Sequence, residues 1–142
     1  MLKVYRGGKE VGETVLKMFF LRVKMTGCKR EKFVRIVQNG VRRGRTALGV
    51  RQKKVLAVLD LTSTPLRKKE IERALTEHFG EKGFFRHSSY VLEKLLVFRY
   101  IVRDEKKRYS ITELGKEALY ADRAPVREVD LDWLEHFAEK TW

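Results

Sequence analysis

The strongest hydrophobic pattern in the chain runs from Ser88 to Leu119. Val91, Leu92, Leu95 and Leu96 recur at three- and four-residue spacing, the stripe of an amphipathic helix over 88–98. Tyr100-Ile101-Val102 then enters the polar run Asp104-Glu105-Lys106-Lys107, and Arg108-Tyr109-Ser110-Ile111 returns from it. Two short β-rich runs around a charged turn predict a hairpin over 100–112. Thr112, followed by Glu113 and Leu114, places a hydroxyl as the N-cap of a further helix. Upstream, Val55, Leu56, Val58 and Leu59 predict a helix over 51–61, and Thr62-Ser63-Thr64-Pro65 ends it and starts the next. Ile71, Ala74 and Leu75 are the inner face of that second helix, over 66–78. The connection to the third helix contains Gly80, Gly83, Phe79, Phe84 and Phe85, and predicts a short extra helical turn pinned by the phenylalanines.

The flanks are patterned differently. Leu2 and Val4 before Gly7-Gly8 fit a short strand or an ordered tail. In 13–25, Val15, Leu16, Phe19, Phe20 and Val23 fit a helical stripe, although Phe19, Leu21, Val23 and Met25 also fit a strand face; helix is the preferred reading. Phe33, Val34, Ile36, Val37 and Val41 make a clearer amphipathic helix to about Gly40. Val41-Arg42-Arg43-Gly44-Arg45-Thr46 reads as a flexible basic loop because of its glycine. Pro125 marks a joint, and Leu131, Leu134, Phe137 and Ala138 align in a final helix from Asp130 to Trp142, whose N-terminus Asp130 and Asp132 favour. The expected organisation is a basic helical extension over 1–49, a helix–hairpin domain over 50–121 and a C-terminal helix over 122–142. The fold class is mainly α with a small β-hairpin.

Charge changes this picture most. The 142 residues carry 32 Lys+Arg against 19 Asp+Glu, a net +13, which points to a polyanionic partner, nucleic acid being the commonest in solution. Residues 1–50 hold 13 Lys+Arg and 3 Asp+Glu, and therefore +10 of the +13. The lone Cys28 forms no internal disulfide, which fits a reducing cytoplasm. No apolar run approaches the ~18 residues of a membrane span, and no signal-peptide layout is present. Gln38, Asn39 and Gln52 are the only side-chain amides beside 36% charged residues, a compositional hint of a hyperthermophile. Catalysis finds little footing: His78, His87, His136 and Cys28 lack zinc-ligand spacing, and no glycine run has the phosphate-cradling pattern. No cofactor or metal is expected.

Tyr90-Val91-Leu92-Glu93-Lys94-Leu95 through Tyr100-Ile101-Val102-Arg103, and then Tyr109-Ser110-Ile111-Thr112-Glu113-Leu114-Gly115, resembles winged helix-turn-helix transcription regulators of the MarR/PadR/ArsR type. The second run matches the Tyr-x-Leu-Thr-x-x-Gly-like close of that family's wing. The likeness covers residues 50–121 and implies a winged helix-turn-helix with N- and C-terminal helical extensions that binds double-stranded DNA as a homodimer. Two departures stand out. Arg99 occupies the place of the glycine that usually ends the recognition helix, and Leu96, Val97 and Phe98 stand where polar residues are common and so require cover, from the basic N-terminal helices, the C-terminal helix or a second subunit.

On this reading the recognition helix 88–98 presents Ser88, Ser89, Tyr90 and Lys94 to a major groove, with Glu93 beside them accepting from a cytosine or pairing with a neighbour. Arg86 and His87 hold phosphates at its start, Lys106, Lys107 and Arg108 form a basic wing tip, and Arg42, Arg43 and Arg45 form a backbone-contacting arm. Two other classes fit the same residues. The basic extension suits an RNA- or ribosome-associated protein, and Leu96, Val97 and Phe98 suit a protein-docking module in replication or transcription machinery.

Overall fold

The structure is a computed structural model that describes residues 1–86 and 90–140. Helices dominate, joined by three small sheets. In chain order the elements are β1 (Lys3–Arg6), β2 (Lys9–Val11), α1 (Glu13–Thr26), α2 (Glu31–Arg43), β3 (Arg45–Thr46), α3 (Val50–Thr62), β4 (Leu66–Arg67) and α4 (Lys68–Phe79). A 3₁₀ turn (Phe84–Arg86) follows, then α5 (Val91–Val97), β5 (Ile101–Arg103), β6 (Arg108–Ile111), α6 (Glu113–Tyr120), β7 (Ala124–Pro125), β8 (Glu128–Asp130) and α7 (Leu131–Ala138).

The central segment follows its hydrophobic pattern. Helices α3, α4 and α5 precede an antiparallel hairpin of β5 and β6, in register Ile101↔Ile111 and Arg103↔Tyr109. The hairpin turn is built by Asp104, whose Oδ1 accepts the backbone N–H groups of Lys106 and Arg108, each at 2.9 Å. Thr112 caps α6 as its position predicts, its Oγ1 accepting from the Gly115 N–H at 3.0 Å. The same hydroxyl donates to the Arg99 carbonyl at 2.7 Å, tying α6 to the end of α5. The phenylalanine-rich connection holds its short turn: Phe84 is buried and meets Phe85 edge-on at 5.0 Å. Leu66–Arg67 is a strand rather than the start of α4, because it pairs with β6 (Leu66↔Tyr109, Arg67↔Arg108) to give the sheet order β4-β6-β5.

The two flanks interlock instead of forming separate extensions. Strand β1 pairs antiparallel with β2 and parallel with β8 (Val4↔Val129), and β3 pairs with β7 (Thr46↔Ala124). One contiguous apolar core therefore runs through all three expected segments, from Val4 through Phe33, Leu56 and Leu95 to Leu134. Segment 13–26 is helical, with Leu16, Phe19 and Val23 buried. The basic stretch around residue 43 is not a flexible loop. Arg42 and Arg43 are the last turn of α2, Gly44 caps it at φ +70°, and Arg45–Thr46 is strand. The cause is local: a left-handed glycine brings its N–H back to the Gly40 carbonyl at 2.9 Å and ends a helix without opening a loop. The last helix is shorter than 130–142, since Glu128–Asp130 pairs with β1 and Asp130 becomes the cap, its Oδ1 accepting from the Trp133 N–H at 3.2 Å. Thr141 and Trp142 lie outside the described residues.

The apolar excess on α5 is covered within the chain. Leu96, Val97 and Phe98 are all buried, against elements that include α7 and α3. Phe98 packs on α2 so closely that a Cβ added at Gly40 would lie 2.9 Å from its ring tip. These residues need neither a second subunit nor a docking partner, which removes the feature that favoured the protein-docking reading.

Arg99, where the resembling family has glycine, takes the glycine conformation at φ +58°. Its guanidinium offsets the strain from three sides: Glu128 at 3.1 Å, Asp130 at 3.4 Å and the Tyr5 ring with its centroid at 4.2 Å. Arg99→Ala keeps the strain without these partners, whereas Arg99→Gly forgoes the partners but relaxes the backbone. Both variants are expected below wild type in denaturant unfolding, with the glycine variant more stable than the alanine variant by about 1 kcal/mol. An alanine variant at or above the glycine variant contradicts this reading.

Candidate nucleic-acid interface

The residues singled out in the sequence separate into three groups. Lys94 and Tyr90 do not face solvent as a reading head requires. Lys94 is 9% exposed, and its ammonium donates to the Ala47 carbonyl at 2.8 Å. Burial holds its pKa below the ordinary lysine value. Tyr90 is half-buried, with its ring 5.4 Å from Phe33 and under the Arg30 guanidinium at 4.5 Å. Glu93 faces the buried Arg30 at 3.8 Å rather than a base. The physical reason is common to all three: α5 is covered on every side, so six of its seven residues are buried and none is left as an outward stripe. His87, Ser88 and Ser89 lie outside the described residues. Arg86 is exposed at the end of the 3₁₀ turn.

The hairpin group is brought together with residues that the hydrophobic pattern did not single out. Lys106 and Lys107 are exposed at the turn, with Lys107 at φ +62°. Arg108 pairs with Asp104 at 2.8 Å, and the surrounding N–H groups and guanidinium hold that carboxyl below the usual aspartate range. Lys107 and Arg108 border an open groove of about 820 Å³ whose other walls include Arg67, Lys68, Lys69 and Arg103. Glu70 is the one acidic residue lining it, and its Oε1 is engaged by the Arg67 N–H at 2.9 Å. The run Arg67-Lys68-Lys69 is plain in the sequence, but only the β4–β6 pairing sets it beside the hairpin.

Two features of this groove work against stability. Arg67 and Arg108 are direct cross-strand partners, which puts two guanidinium side chains on one face of the sheet; like charges in that relation repel. Lys68 and Lys69 open α4, where the positive end of the helix dipole disfavours cations. Asp104 offsets part of the first arrangement. An anion in the groove relieves both.

The third group lies on the N-terminal flank. Arg42, Arg43 and Arg45 are exposed and share α2 and β3 with Lys32 and Arg35, two cations whose place beside them emerges only from the fold. None of these five has an ion-pair partner among the described residues. Among the described residues there is no group of three or more His, Cys, Asp or Glu side chains placed to hold a metal, and no helix is long and apolar enough to cross a membrane.

No family model, curated protein or solved structure matches the chain.

Lys94 supplies the test that separates buried from reading residues. Lys94→Met is expected to leave duplex affinity and its salt dependence unchanged. Because the folded form holds the proton less tightly than the unfolded chain, wild-type stability gains from Lys94 as pH rises through its depressed pKa towards 10.5. The methionine variant lacks that alkaline gain. A loss of duplex affinity in the variant returns Lys94 to the interface.

Proposed function

We propose that the protein binds double-stranded DNA, holding the phosphate backbone in the groove between the N-terminus of α4 and the β5–β6 hairpin. In this reading residues 50–112 act as a winged helix unit of a transcription regulator, with the hairpin as its wing. The element order α3-β4-α4-α5-β5-β6 and the strand order β4-β6-β5 support it. The single observation that carries it is the cross-strand pair Arg67↔Arg108 beside Lys68, Lys69 and Lys107. A fold gains nothing from concentrating that much like charge at one sheet edge and helix start, whereas a polyphosphate draws its affinity from such a cluster. Interactions of this kind position a duplex without reading its sequence.

An RNA- or ribosome-associated role is the second reading, favoured by the +10 carried by residues 1–50. RNase-sensitive sedimentation with large particles supports it, and free sedimentation removes it.

The triple variant Arg67→Ala, Lys68→Ala, Lys107→Ala is expected to weaken binding by a similar factor on every duplex. The plot of log affinity against log salt flattens by about 2 to 3, close to 0.9 for each phosphate that is no longer neutralised. Fluorescence anisotropy across a salt series measures both effects. Unchanged affinity and slope on all duplexes would show that the groove does not hold the backbone.

A further inference from the structure

Helix α2 has a face that nothing in the groove accounts for. Its inner side, Phe33, Val34, Val37 and Gly40, is buried. Its outer side presents Lys32, Arg35, Gln38, Asn39, Arg42 and Arg43, all exposed. At 1.5 Å per residue this stripe extends about 16 Å. Glu31, at the first position of the helix, is its only acid, and none of the cations on the stripe has an ion-pair partner among the described residues.

The solvated faces of α4 and α6 look different. The exposed residues of α4 mix Lys69, Arg73, Glu70 and Glu77, and α6 pairs Lys116 with Glu113 at 3.3 Å. The amides are equally uneven. Of the three in the whole chain, Gln52 caps α3 by accepting from the Gly49 N–H at 2.9 Å. The other two, Gln38 and Asn39, stand side by side on the α2 stripe, with Arg42 donating to the Asn39 carbonyl oxygen at 3.3 Å. Arginine interleaved with asparagine and glutamine is the set that pairs bidentately with guanine O6/N7 and adenine N6/N7. Amides also donate to phosphate, but only against a base edge are their donor and acceptor used together.

We infer that α2, and not α5, is the helix that reads base edges in the major groove of a DNA duplex. The inference rests on the proposed DNA binding and adds to it the source of sequence preference. Rigidity is supplied from beneath: the Phe98 ring leaves no room for a side chain at Gly40, and the left-handed Gly44 leads directly into β3, where Arg45 extends the cationic line. B-DNA offers a major groove about 12 Å wide, which a helix of about 10 to 12 Å fits; the deep, narrow groove of A-form RNA does not admit one.

Selection from a random duplex pool tests this, with a random RNA pool in parallel, using wild type, Asn39→Ala and the triple variant Arg35→Ala, Asn39→Ala, Arg42→Ala. All three positions are exposed, and circular dichroism checks that the variants remain folded. Wild type is expected to enrich a defined motif. Asn39→Ala is expected to lose preference at one position of it while keeping its affinity for scrambled duplex to within about twofold. The triple variant is expected to lose discrimination between motif and scrambled duplex by about tenfold or more. A wild-type protein that binds all duplexes alike, or a triple variant that retains the motif, overturns the role of α2 and leaves the role of the groove standing. Failure of wild type to bind any duplex overturns both, and preferential enrichment of RNA overturns the assignment to duplex DNA.

Discussion

Everything in this fold depends on the burial of α5. A seven-residue helix has too few backbone hydrogen bonds to persist unaided, so its stability comes from packing. Leu92, Leu95 and Leu96 give it one apolar side, and Val91, Val97 and the following Phe98 give it another. Covering both requires elements from each end of the chain. Helix α3 packs on it from the central segment, α7 and β8 from the C-terminal end, and α2 meets Phe98 from the N-terminal end. Each large side chain so enclosed is worth about 1.5 to 3 kcal/mol, and the sheet joining β1 to β8 holds the covering elements together. Charge inside this core is confined to groups that answer to partners, such as Lys94 with the Ala47 carbonyl and Arg30 beside the neighbouring rings of Phe33 and Tyr90.

A helix enclosed in this way cannot also be inserted into a groove. On the proposed function, that constraint moves nucleic-acid recognition to the periphery, where the chain keeps its cationic surfaces. They occupy two places: the groove between α4 and the hairpin, and the outer face of α2 continuing into β3. The two differ in chemistry. The groove is built from lysine and arginine at a sheet edge and a helix start, suited to phosphate, whereas the α2 face adds amides, suited to bases. The proposed division between positioning and reading rests on those side chains.

Much of the fold was legible in the chain. The three- and four-residue spacing located α3, α4 and α5, and Thr112 marked the start of α6 because an N-cap depends only on neighbours three residues away. The Phe84–Phe85 turn was legible for the same local reason. What escaped was non-local. Leu66–Arg67 and Glu128–Asp130 are strands only because β6 and β1 lie beside them. Arg42 and Arg43 looked like loop because Gly44 reads as a breaker until its left-handed conformation shows it to be a cap. Lys94 looked exposed because it lies off the Val91, Leu92, Leu95, Leu96 stripe, and a lysine at such a position ordinarily faces solvent. The need for cover was visible in Leu96, Val97 and Phe98, and two of the expected sources, an N-terminal helix and the C-terminal helix, supply it as α2 and α7. Arg67, Lys68 and Lys69 escaped as site residues because their meaning depends on a strand pairing between distant parts of the chain.

The central claim is that nucleic acid is held by the outer cationic surfaces while α5 stays in the core. Amide chemical-shift mapping of the whole chain during titration with a short DNA duplex tests it most directly. Shifts concentrated in residues 66–69, 103–109 and 32–45, with 91–97 unmoved, are the expected result. Shifts centred on 91–97 while the hairpin and α2 stay silent would contradict it.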